Sequence, residues 1–278
     1  MSAAAVTLIA GMLVGRILPA WAATGERGRA ALEEAIAAAR EQKAVIEAVL
    51  QRLRGKKGDG ETARDGLPAL HAPAGFVRET TVSVNGKLRL HLVERFDPDA
   101  PPDAAWTILT LEPPERAKKM KPEHRGADGT FVMYAYTVSE LDAAQAVPVA
   151  APADGDEELA YFRFPRVPEG MLQGDGAAFA DRLAMLVGVD DRSSEPFVRE
   201  LQLLLDSPTR IKLIAKVKGF SWRIRYRRLV PDRTIYVPEH MLTDARFKII
   251  FRGEEETRTE VTYRDYAPRS DGRKQPFP

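Results

Sequence analysis

A chain of 278 residues, 44% hydrophobic and 29% charged, carries enough apolar material for one large core and an ordinary water-facing surface. Its 41 Lys and Arg against 40 Asp and Glu leave a formal net charge of +1, so no global field favours nucleic acid or an acidic partner, and any electrostatic argument has to be local. It has no cysteine, which excludes a disulfide scaffold, a thiolate zinc site and a cysteine nucleophile.

Ala3 to Gly15 form an apolar run, and Ala20-Trp21-Ala22 sets small residues at both positions that a signal peptidase reads. Residues 1–22 are therefore expected to be a signal peptide cleaved after Ala22, with a retained N-terminal anchor as the alternative. The run falls short of the roughly 20 apolar residues of a membrane span, and Arg16 interrupts it. Residues 23–54 read as an amphipathic helix. From Glu26 on, Leu32, Ile36, Ala39, Ile46, Leu50 and Leu53 fall on one helical stripe, which Lys43 shares, and that lysine argues against a coiled coil. Residues 55–75, opening with the Gly- and Lys-rich run from Gly55 to Gly66, read as a linker.

Beyond the linker the period of the apolar residues changes to two. Val82 and Val84, then Asn85-Gly86, then Leu88, Leu90 and Leu92 predict a hairpin, because Asn-Gly accepts the positive φ angles of a two-residue turn. Further strands are expected at Trp106–Leu111, Thr130–Val138, Ala160–Phe164, Phe179–Val189, Phe197–Leu205, Thr209–Lys218, Phe220–Leu229, Thr234–Val237, Arg246–Phe251 and Thr257–Tyr266. Short helical stretches are expected near Pro114–Lys121 and Ser139–Gln145. About ten strands with so little helix between them leave no room for βαβ units, so the sheet is expected to be antiparallel. A domain over 76–267 and a flexible tail over 268–278 complete the division.

Parity gives the sheet one apolar face: Leu183, Met185 and Val187; Leu201 and Leu203; Phe220, Trp222 and Ile224; Phe247 and Ile249. Such a face has to curl on itself or be covered, and the N-terminal helix is the expected cover. These ten residues are either a close-packed core or the lining of a lipid-sized cavity.

The order of parts (signal peptide, Ala-rich helix, NG hairpin, helical insert, then strands ending in Tyr263-Arg264-Asp265-Tyr266) resembles the LolA-like family of periplasmic proteins. Local similarity lies in Arg95-Phe96-Asp97-Pro98, Pro101-Pro102, Trp106-Thr107-Ile108-Leu109 and Tyr161-Phe162-Arg163-Phe164-Pro165. The resemblance spans roughly residues 26 to 267. It implies an α+β fold, a curved antiparallel half-barrel with a short helical lid over an apolar cavity, located in the periplasm. Members of that family include carriers of acylated proteins and a periplasmic signalling subunit, so function has to be argued from the site.

Opposite the apolar face, Lys212, Lys216 and Lys218 on one expected strand and Arg223, Arg225 and Arg227 on the next would project to one side. That patch is either a solvated outer face or a contact for anionic lipid headgroups. Because the aromatic residues nearby point the other way, no stacking platform for nucleic acid is formed. His71, His91, His124 and His240 are scattered, Gly174-Asp175-Gly176 is too short for a phosphate loop, and Ser193-Ser194 lies in a turn; no metal or cofactor is implied. Glu94, Asp181 and Arg199 break the inward parity, and two inward acids would be the only candidates for hydrolysis.

The expected function is a non-catalytic binder or carrier of a lipid or acyl chain, with an anionic membrane surface and an envelope protein as further candidate partners. The alternative is an interaction or signalling module with a filled core, and an envelope hydrolase is weaker than either.

Overall fold

The computed structural model describes residues 25–48, 51, 74–101, 104–115, 128–168, 180–211, 215–229, 235–250 and 253–268. The expected signal peptide, the linker up to residue 73, Leu50, Leu53, His71, His124, Gly174 to Gly176, Lys212, Phe251 and the tail after 268 lie outside them.

Eleven strands form one antiparallel sheet: β1 (Ala74–Val84), β2 (Lys87–Phe96), β3 (Trp106–Glu112), β4 (Val147–Val149), β5 (Ala160–Phe164), β6 (Leu183–Asp190), β7 (Phe197–Leu205), β8 (Thr209–Ile211), β9 (Ala215–Arg228), β10 (Tyr236–Ile249) and β11 (Gly253–Pro268). The order across the sheet is β3-β2-β1-β11-β10-β9-β7-β6-β5-β4, with β8 beside β9 as the continuation of β7. The fold is α+β, and the sheet curves as an open half-barrel whose edges are β3 and β4. Asn85 and Gly86 take φ of 51° and 72° in the turn between β1 and β2, as the Asn-Gly pair predicts.

This order is a simple meander with two departures: the first strand pairs with the last, and the link from β3 to β4 joins opposite edges of the sheet. That link has to cross a face, where no strand edge offers hydrogen-bond partners. A segment there must satisfy its own backbone groups, and a helix does so. Thr130–Val138, expected as a strand, is accordingly part of helix α2 (Asp128–Val138), which lies against β10 at the middle of the sheet. Tyr134, Ala135 and Val138 are fully buried, so the run is apolar because the helix is enclosed between neighbours.

Helix α1 covers residues 25–48. Of the expected stripe Leu32, Ile36, Ala39 and Ile46 are buried, and Leu32, Ile36 and Ala39, with Ala31 and Ala35 beside them, pack with α2 and strands β5 to β7. Two arginines three turns apart hold it to the chain after α2. Arg40 donates to the carbonyls of Ser139 and Leu141 at 3.1 and 3.0 Å, and Arg29 to those of Ala143 and Ala146 at 2.9 and 2.8 Å. Lys43 leaves the apolar stripe by pairing with Glu140. At Gly28 the helix meets β5 so closely that an added Cβ would sit 2.8 Å from the Cβ of Ala160 and 3.3 Å from the Phe162 ring. Ala at a helix interior normally adds about 0.5–1 kcal/mol over Gly. Here the sign reverses: Gly28→Ala is expected to destabilise by about 1–3 kcal/mol in urea denaturation, because the helix has to back away from the sheet.

Other boundaries move for local reasons. The expected strands Thr209–Lys218 and Phe220–Leu229 are not a hairpin about Gly219. The turn lies between β8 and β9, and the register shift in β9 near Gly219 is a bulge inside one strand. Tyr236 and Val237 of one expected strand and Arg246 to Ile249 of the next belong to a single strand, β10, and Pro238 within it lies beside a second register shift, where a missing N–H is tolerated. Of the expected helical stretches, Ser139–Gln145 contributes only a 3-10 turn at Ala143–Gln145, and Pro114–Lys121 is described only to residue 115. Among the described residues no helix is long and apolar enough to cross a membrane.

Candidate functional site

Cross-strand register defines the inner face row by row. One row runs Phe162, Val187, Leu201, Ile224, Met241, Val261, Thr80 and Leu92 from β5 to β2. The next runs Phe164, Met185, Leu203, Trp222, Thr243, Thr259, Val82 and Leu90. The ten residues assigned to the apolar face from parity therefore do share one face. They divide into two groups. Leu183, Met185, Val187, Leu201, Leu203 and Ile224 are 0–2% exposed in the core under the two helices, while Phe220, Trp222, Phe247 and Ile249 remain partly exposed. The division follows the strands: in the second row the side chains of β5, β6 and β7 are buried, and Trp222, Thr243, Thr259, Val82 and Leu90 are not.

At the filled end, α2 is fixed by an aromatic cluster. The Tyr134 ring lies 4.3 Å from Tyr236 and 5.1 Å from Tyr226, and Tyr236 stacks on Phe197 at 5.0 Å. The Tyr134 hydroxyl accepts the backbone N–H of Val198 at 3.1 Å. Strand β7 changes register there: Gly188 faces Glu200 and Val189 faces Val198, so Arg199 is the extra residue and its side chain is exposed. Arg199 is thus not an inward charge.

Asp181 is not inward either; it sits in the turn before β6, 74% exposed and 3.4 Å from Arg182. Glu94 does face inward on β2, where its carboxylate is 1% exposed and takes Arg78 Nη2 at 2.8 Å. Five strands separate β2 from β6, so Glu94 and Asp181 do not meet as a pair of acids.

The basic residues lie along β9 rather than on two strands, and most are engaged. Arg223 pairs with Asp154, Arg225 Nε with Glu200 Oε2 at 2.7 Å, and Lys218 with Glu254, while the Arg227 guanidinium stands 5.0 Å over the Tyr266 ring. Lys216 is exposed. Asp154 is held below the usual carboxylate range, first by its hydrogen bond to Arg223.

Sequence reasoning missed the centre of this outer region. Glu200, 1% exposed, accepts Tyr161 Oη at 3.1 Å and Gln202 Nε2 at 2.6 Å besides Arg225, and Tyr161 Oη accepts the Asp156 N–H at 3.0 Å. The ring of Tyr161 fits because Gly188 opposite has no side chain: a Cβ there would stand 3.0 Å from it. Outer parity was the available signal for Glu200 beside Arg223 and Arg225; its burial by residues 150–159 had none.

Burial is the first cause that raises the phenols of Tyr134, Tyr161, Tyr226, Tyr236 and Tyr266, with Glu200 adding to it at Tyr161, which reaches about 12. A raised phenol contributes nothing to pH dependence below pH 10, where both states hold the proton. Above it the unfolded chain ionises first, and stability falls until the folded value is passed. Absorbance of tyrosinate and circular dichroism followed together should show ionisation of these groups coinciding with unfolding between pH 10 and about 12, and Tyr161→Phe should flatten the loss. Ionisation of all seven tyrosines near pH 10 with the fold intact would contradict this.

His91 and His240 each pair with a glutamate on the neighbouring strand, Glu79 at 2.9 Å and Glu260 at 2.8 Å. Among the described residues no three of His, Asp and Glu are grouped to hold a metal ion. No protein-family model matches the chain, and no curated protein and no solved structure is significantly similar to it.

Proposed function

We propose that this protein binds an apolar chain, a lipid or an acyl group, on the half-open part of its inner sheet face, and acts without catalysis as a binder or carrier in the periplasm. The observation that supports this is the unequal cover of one continuous face: Phe220, Trp222, Met241, Phe247 and Ile249 point inward by register yet keep solvent exposure, while the same rows are dry under α1 and α2. An acyl chain laid along β9 and β10 would remove that apolar area from water at about 25 cal/mol per Å². Approach to an anionic membrane would draw on Lys216 more than on the paired cations, at about 1 kcal/mol per free charge.

The second reading, an interaction module with a filled core, has its own support in the six expected lining residues that are 0–2% exposed. The two separate in one experiment. Purified protein is extracted with organic solvent for mass spectrometry of co-purified lipid and titrated with Nile red. Thr243 lies between Trp222 and Thr259 on the half-open face, so Thr243→Phe should block the dye and leave circular dichroism native. Leu203→Ala, in the filled half, should instead cost about 2–5 kcal/mol of stability. No extracted lipid and no saturable dye binding by the native parent would reject the binder and leave the interaction module.

A further inference from the structure

The β1 to β3 end of the inner face holds polar groups inside an aromatic cluster. The ring of Phe76 lies 5.4 Å from Phe96, 5.6 Å from Trp106, 5.8 Å from Tyr263 and 5.6 Å from Tyr266. Arg78, the next inward residue of β1, spreads its guanidinium over the indole of Trp106, 4.4 Å from the ring centroid. Its Nη2 donates to Glu94 at 2.8 Å. Two donors are left over: Arg78 Nε and Trp106 Nε1 are both buried and neither makes a hydrogen bond. Buried N–H groups without acceptors are rare, and two in one stacked pair are rarer, because each has been taken out of water with nothing in return.

We infer that Arg78 and Trp106 form a hydrogen-bonding site for the carbonyl oxygen of an ester or amide, the linkage end of an acyl ligand whose chain lies on the half-open face; this rests on reading that face as an acyl-binding surface. A carbonyl oxygen has two lone pairs, accepts from both donors and introduces no donor of its own. A free carboxylate is disfavoured, since its negative charge would be buried beside that of Glu94. The span is suitable: Arg78 is three strand spacings, about 14 Å, and four residues of rise, about 13 Å, from the row that contains Trp222, on the same face of the sheet. The sequence alone does not disclose the site, because Arg78 and Trp106 sit on non-adjacent strands and meet across Glu94.

Displacement of Nile red from the full chain by dodecane, methyl dodecanoate and dodecanoate tests the assignment. The ester is expected to displace the dye about tenfold more effectively than the alkane, the advantage of two hydrogen bonds, and also better than the carboxylate. Trp106→Phe keeps the aromatic ring and removes one donor, and should lower the ester-to-alkane ratio about fivefold. Independently of any variant, the Trp106 indole N–H resonance should shift on addition of the ester and not of the alkane. Equal displacement by ester and alkane, an undiminished ratio in Trp106→Phe, an unmoved indole resonance, or preference for dodecanoate would each overturn the site while leaving an apolar binding face in place. Failure of all three compounds to displace the dye, or of the dye to bind, would instead overturn that face and the site with it.

Discussion

Replacing Arg78 by Leu is expected to cost about 3–5 kcal/mol of unfolding free energy, among the largest effects of any single substitution in this sheet. Glu94 is almost completely buried, and its ion pair with Arg78 at 2.8 Å offsets the cost of taking its charge out of water. Without the guanidinium the carboxylate loses its charge-assisted hydrogen bond from β1, inside the aromatic cluster around Phe76 and Trp106. The double replacement Arg78→Leu with Glu94→Leu should recover most of the loss, since two apolar residues of similar reach carry no desolvation penalty. Urea denaturation of the parent, both single variants and the double variant gives the coupling directly. A single-variant cost below about 1 kcal/mol would show that the burial of Glu94 does not depend on Arg78.

The second large effect concerns α2. Tyr134→Ala is expected to lose about 3–5 kcal/mol, because a fully buried ring in contact with Tyr226 and Tyr236 is replaced by a void. Tyr134→Phe isolates the hydroxyl. It should cost about 1–2 kcal/mol, the penalty for leaving the Val198 N–H without its acceptor. The helix has no sheet neighbours to hydrogen-bond, so these side-chain contacts are what hold it over β10. If α2 covers the inner face as a lid, Tyr134→Ala should also increase the amount of Nile red bound per chain. A stability loss of equal size for Phe and Ala would place the whole contribution in the hydroxyl and contradict the packing argument.

What could be read from residues alone was the alternation. Leu201 and Leu203, Trp222 and Ile224, and Phe247 and Ile249 share a face because side chains alternate across a strand, whatever its neighbours are. The Asn85-Gly86 turn and the stripe of Leu32, Ile36 and Ala39 were legible for the same reason, as local geometry. Long-range causes were not. Phe131 to Val138 is an apolar run rich in aromatic and β-branched residues and has the local character of a strand; it is helical because the link from β3 to β4 crosses a face. Gly219 has the local character of a turn and occupies a bulge. In the candidate site, parity placed Trp222 and Leu203 together but carried no information on cover, so it could not divide the filled rows from the half-open ones. Nor could it find Glu200 beneath residues 150–159, or bring Arg78, Glu94 and Trp106 together from three strands.

The pairing of β1 with β11 sets the order of synthesis against the order of assembly. Thr80 faces Val261, so the residues that join the two parts of the sheet are among the first and last of the domain to be made. Until β11 is available, the hairpin of β1 and β2 with β3 and the seven strands from β4 to β10 are separate patches, each with an edge of unpaired backbone and an uncovered apolar side. Closing a loop of that length is entropically slow, and an incomplete chain in that interval is exposed to pairing with another copy of itself. A product that stops short of Gly253 therefore lacks more than a strand: it lacks the element that makes one sheet of two.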